Sequence, residues 1–192
     1  MSTRVIGVGS PFGDDRAGWE VVAALEATLR SVAAPPLGVD ICACDRPGAA
    51  LVHMLAGVQH AVIIDVALSA GSPAGNVRWL GEHEIEARRS ASSHGFGLAE
   101  ALGLARALGD APSRVSVLAI SATHWEGDAL SDPVRKAVPV AVREVLALIH
   151  GDDADARGDP AAKSRSEPRS SFTPSARRSP GRGRTGGPGS RR

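Results

Sequence analysis

Two adjacent carboxylates, Asp14 and Asp15, follow directly on a glycine-bearing turn in the stretch VIGVGSPFGDDRAGW, residues 5–19. A strand that breaks into glycines before a helix is a common phosphate cradle. Here the spacing is G-x-G-x-x-x-G, which lacks the third-glycine register of the dinucleotide fingerprint, and no Walker lysine follows. Two aspartates would also repel a pyrophosphate, so no nucleotide is expected. A further carboxylate, Asp65, closes the apolar run AVII. At the end of a buried strand it needs a partner, hydrogen bonds or a metal to offset its lost hydration. His94 stands in SASSHGFGL, ahead of a leucine-rich stretch. Asp15, Asp65 and His94 make two carboxylates and one imidazole, a donor mixture suited to Zn²⁺ or Ni²⁺.

Each of these residues also has a plainer reading. One acid of the Asp14–Asp15 pair is expected to cap the following helix, but one cap needs one carboxylate. Asp45 beside Arg46 reads as a local ion pair or turn. His124 and Glu126, in ATHWEG after another strand, are second candidates for acid–base work. No nucleophile–base pair on a strained elbow is evident. Cleavage chemistry would need a metal-polarised carbonyl or a water activated by a carboxylate. Cys42 and Cys44 are expected to point to opposite faces of a strand, and their spacing suggests neither a metal pair nor a disulfide framework.

The elements that must position these groups alternate. Residues 4–8 form a short apolar run, and Trp19, Val22, Leu25, Leu29 and Val32 mark an amphipathic helix over 16–33, stopped by Pro35-Pro36. Strands are expected at 38–43, 60–67, 76–80 and 114–120. HAVIIDVA (60–67) is apolar on both faces and therefore central. Helices are expected after Pro47, over 96–109, and from SDPV to about His150. In the last, Asp132 is read as N-cap, Pro133 as the first helical residue, and Pro139 as the site of a kink. This alternation implies an α/β fold: one domain over 1–150, a mostly parallel twisted sheet with helices on both faces. Sites in such sheets form outside the carboxyl ends of the strands, which gathers Asp15, Asp45 and Asp65 on one edge within reach of His94.

Charge separates the rest of the chain. Residues 1–150 carry 12 Lys/Arg against 16 Asp/Glu, while residues 151–192 carry 10 against 5 and are rich in Gly, Pro, Ser and Arg. Such a tail cannot bury enough apolar surface to offset its ordering entropy, and disorder is expected over 151–192. No signal peptide and no run of bilayer length is visible. A cytoplasmic monomer is expected, with no nucleic-acid or membrane partner.

Four segments in order, VIGVGSPFGDDRAGWEVVAAL, AVIIDVALSAGSPAGNV, SSHGFGLAEALGLARAL and LSDPVRKAVPVAVREVL, resemble the hydrogenase maturation proteases over roughly residues 4 to 149. The resemblance implies an endopeptidase that removes a C-terminal extension from the large-subunit precursor of a nickel–iron hydrogenase after nickel insertion. It implies that Asp15, Asp65 and His94 are the metal-facing and catalytic residues, with nickel presented by the substrate. Ser10 stands where the family usually has Asn, Arg16 where glycine is common, and CDRPG (44–48) replaces an Asp-Gly-Gly-Thr-like turn. A non-enzymatic nickel-sensing docking protein or metallochaperone using the same three ligands is the alternative.

Overall fold

The computed structural model describes residues 2–46, 48–67, 72–81, 84–85 and 97–156. His94 and most of the basic tail lie outside these residues. Five strands, β1 (Thr3–Gly9), β2 (Val39–Asp45), β3 (His60–Ala67), β4 (Val77–Leu80) and β5 (Arg114–Ser121), form one sheet in the order β2-β1-β3-β5-β4. The first four in that order run parallel, and β4 lies antiparallel to β5 on the edge. A 3₁₀ turn (Gly13–Arg16) leads into helix α1 (Ala17–Ser31); α2 (Ala49–Leu55), α3 (Leu98–Leu108) and α4 (Asp132–Ala156) complete the layers.

Alternation along the strands builds two cores. Val5, Val62, Ile64, Leu118 and Ile120 point toward α1 and α4, meeting Val21, Leu25, Val134, Ala141 and Val145. Ile6, Val8, Ile63 and Val117 point the other way, toward Leu51, Leu55, Ala101 and Leu102 of α2 and α3. The sheet is covered on both faces, as the apolar run of β3 requires, and β3 sits in its middle between β1 and β5.

Three expectations need correction. Cys42 and Cys44 both belong to the α2–α3 side, because residues two apart on a strand share a face. The last helix starts one residue early, since the Arg135 N–H bonds the Ser131 carbonyl at 2.8 Å. It also runs on to Ala156, six residues into the segment expected to be disordered. Extending a formed helix costs far less than starting one, and a single glycine such as Gly151 costs only about 1 kcal/mol. The remainder of the tail lies outside the described residues. Among the described residues no helix is long and apolar enough to cross a membrane.

Candidate active site

The strand order reverses between β1 and β3. From β1 the chain passes outward to β2, then returns to β3 on the other side. The carboxyl ends of those two strands therefore border the crevice where open α/β sheets bind ligands. Asp65 lies on β3 in register with Ala119, two residues before the strand ends. It is half-buried, and alternation places it on the face shared by Ala61 and Ile63. Asp15 sits in the 3₁₀ turn just past β1 and is also half-buried.

Glycine brings that turn so close. A Cβ on Gly9 would lie 2.1 Å from the Asp15 carbonyl oxygen, and one on Gly7 would lie 2.2 Å from the Gly18 carbonyl oxygen. Gly18 in turn sits against Val8 and Ile64, the junction of β1 and β3. The glycines that suggest a phosphate loop are thus spent on seating α1 and the Asp15 turn against the switch point.

Asp14 does something the sequence reading missed. Neither acid caps a helix through its side chain. Asp14 is fully buried and accepts hydrogen bonds from the Ser131 N–H (2.7 Å), the Ser131 hydroxyl (2.9 Å) and the His124 N–H (3.3 Å). The Asp14 N–H donates to the His124 carbonyl, the Gly13 N–H to Gly127, and Arg16 Nη1 to Asp128. The turn is gripped by the loop between β5 and α4.

Asp45 and Arg46 form the local pair expected of them, with Nε–Oδ1 at 3.0 Å and Nη2–Oδ2 at 3.3 Å. That hydrogen bond and the Asp45 charge raise the Arg46 pKa, with the charge of Asp15 adding to them. The Arg46 N–H bonds the Gly9 carbonyl at 2.8 Å, fixing the end of β2 beside the end of β1. Arg46 adopts φ +49, a left-handed conformation that glycine takes without strain; here a non-glycine residue occupies the turn. Arg16 is right-handed at φ −70, so its replacement of a glycine brings no such strain.

His124 and Glu126 are exposed on the β5–α4 loop, at the same edge. His94 precedes the first residue of α3 by four positions. Only residues 109–113 separate α3 from β5, so α3 runs back along the sheet and starts at the carboxyl edge. The described residues therefore put Asp15 and Asp65 at one switch point, and the third donor falls outside them. Among the described residues no three His, Cys, Asp or Glu side chains converge as a metal site.

The cysteines are poor alternatives. Burial is the main cause raising both thiols, Cys42 with Asp40 adding to it and Cys44 with Asp45. The thiolate is the reactive and ligating form. At pH 8 the native protein is expected to react with iodoacetamide more slowly than free cysteine, and more slowly at Cys44, which is buried, than at Cys42. Mass spectrometry of timed samples checks this; labelling of Cys44 as fast as free cysteine contradicts it.

The hydrogenase maturation protease family model HycI matches residues 22–148, a span that includes Asp65 and His94 and begins just after Asp15. No curated protein matches the chain at a significant level. Among solved structures the chain is similar to the hydrogenase maturating endopeptidase HybD from E. coli. They share 26% identity at a TM-score of 0.69, over 79% of this chain and 94% of that one. It is also similar to the [NiFe] hydrogenase maturation protease HybD from Thermococcus kodakarensis: 25% identity, TM-score 0.62, 78% and 99% covered. The HycI protease from Thermococcus kodakarensis KOD1, at 20% identity and a TM-score of 0.58 over 77% and 91%, shares the fold. The family model covers well over half of the chain and the fold matches, and the chain belongs to the hydrogenase maturation proteases, endopeptidases that cleave the C-terminal extension of the hydrogenase large subunit.

Proposed function

We propose that this protease acts on a nickel–iron hydrogenase large-subunit precursor after nickel has been inserted, and that Asp15, Asp65 and His94 face that nickel. The observation that carries the reading is the placement of two carboxylates, from different elements, at the β1/β3 switch point of a fold shared with endopeptidases. Oxygen donors joined by an imidazole fit a divalent transition ion and leave coordination positions open, as sharing the ion with a partner requires. Nickel enters as part of the substrate and, once there, supplies Lewis-acid polarisation.

The chain's own residues orient and hold. Asp15 and Asp65 present charge to the metal-bearing end of the precursor and fix its register against the crevice. A carboxylate oxygen of the same pair takes the proton of an attacking water. Two free cysteines accord with a reducing compartment such as the cytoplasm, where the protein acts as a monomer. Co-incubation with a large-subunit precursor tests the reading by mass. Loss of a C-terminal segment supports it, and tight binding without shortening identifies a docking protein instead.

A further inference from the structure

The buried carboxylate of Asp14 is absent from the chemistry above, yet three hydrogen bonds hold it. It has no exposed surface, and among the described residues its three hydrogen-bond partners are all donors. Oδ1 takes the Ser131 N–H; Oδ2 takes the Ser131 hydroxyl and the His124 N–H. The backbone repeats the connection, because the Asp14 N–H returns to the His124 carbonyl and Gly13 N–H reaches Gly127 at 2.7 Å. His124 is thus held to Asp14 through both of its peptide groups. Ser131 provides the carbonyl that starts α4, so the far end of the clamp is anchored in a long helix.

The next residue is Asp15. Its backbone is held from the other side by the Ser10 N–H at 3.3 Å and by the close approach of Gly9. Turn and loop form one unit, packed so closely that a Cβ on Gly13 would lie 2.9 Å from the Trp125 carbonyl carbon and 3.0 Å from the Glu126 nitrogen. We propose that Asp14 is a positioning residue for precursor cleavage: through Ser131 and His124 it sets where the Asp15 carboxylate stands relative to the crevice. The inference rests on the reading of Asp15 as a metal-facing residue.

An amide at position 14 keeps the shape and turns a donor toward donors. In one orientation it faces the Ser131 N–H. In the other the Ser131 hydroxyl can rotate to accept, but the His124 N–H loses its acceptor. Displacement of a reacting group by a fraction of an ångström is enough to slow the chemical step while the rest of the binding surface stands.

The test uses Asp14→Asn, Ser131→Ala, Ser131→Thr and Asp15→Asn in the full-length protein, assayed on nickel-loaded precursor well below each variant's thermal midpoint. Folded Asp14→Asn is expected to lose about tenfold in kcat with KM within about twofold. Ser131→Ala should lose a few-fold, and Ser131→Thr, which keeps the hydroxyl, should match wild type. Were Asp14→Asn not to fold, the Ser131 pair still decides, since a packing role would leave alanine no worse than threonine. Wild-type kcat in folded Asp14→Asn, or equal impairment of the two Ser131 variants, overturns the inference. An inactive Asp15→Asn beside a fully active Asp14→Asn overturns it alone; a fully active Asp15→Asn overturns the reading of Asp15 as well.

Discussion

Asp65→Asn is expected to fold as wild type and to lower precursor processing by at least about a hundredfold. The amide is nearly isosteric with the carboxylate, and the position is half-buried near the carboxyl end of β3. The substitution keeps the size and removes the charge. A transition ion held by few protein donors depends on each carboxylate, and even groups supporting such ligands cost 10–100-fold when lost. Circular dichroism and a thermal midpoint within a few degrees of wild type establish the fold; the mass of the precursor over time gives the rate. Processing at the wild-type rate by a folded variant would remove Asp65 from the site.

Gly18→Ala carries the largest expected effect on stability. Helix propensity alone favours alanine there by about 1 kcal/mol. Packing opposes it more strongly. The new Cβ would lie 2.1 Å from the Val8 carbonyl oxygen, 2.9 Å from the Val8 nitrogen and 3.0 Å from the Ile64 carbonyl oxygen. All three are backbone atoms of paired strands, so no side-chain rotation relieves the clash. The start of α1 must lift from the β1/β3 junction, at a net cost of about 3 kcal/mol, and the midpoint should fall by roughly 10 °C. The helix start and the Asp15 turn are adjacent, so residual folded protein should also process poorly. Calorimetry decides this, and an unchanged or raised midpoint would show that α1 does not seat on the sheet as described.

Much of this architecture can be read from the chain because periodicity reports burial. The unbroken apolar run of β3 implies a strand covered on both faces, and it lies between β1 and β5. The 3.6-residue spacing of Val22 and Leu25 marks the face that α1 buries, while Val32 follows the helix and is exposed. Periodicity reports neither direction nor distance. The four residues of β4 read as a strand, while their antiparallel pairing with β5 depends on a turn at 72–76 that carries no hydrophobic signal. Gly7, Gly9 and Gly18 are visible as glycines, but only the packed backbone shows that they make room for each other's segments. Asp14 and Asp15 are chemically identical in the sequence. Which one turns inward is settled by Ser131, 117 residues away, and no local pattern encodes such a contact.

The positions of two of the three proposed site residues are legible for a related reason. The rule that open α/β sheets bind ligands at strand carboxyl ends gathers Asp15 and Asp65, and the strand order places both at the switch point. His94 depends on a segment outside the described residues, so its share in the site rests on the family resemblance and on α3 starting at the carboxyl edge.

The central claim is that this protease reads nickel in its substrate. The direct measurement incubates metal-stripped protein with two preparations of one large-subunit precursor, nickel-loaded and verified nickel-free, and follows the precursor mass. Shortening of the nickel-loaded precursor alone is the predicted result. Efficient cleavage of the nickel-free precursor by metal-free protein would contradict the account and move the chemistry to the exposed pair His124 and Glu126.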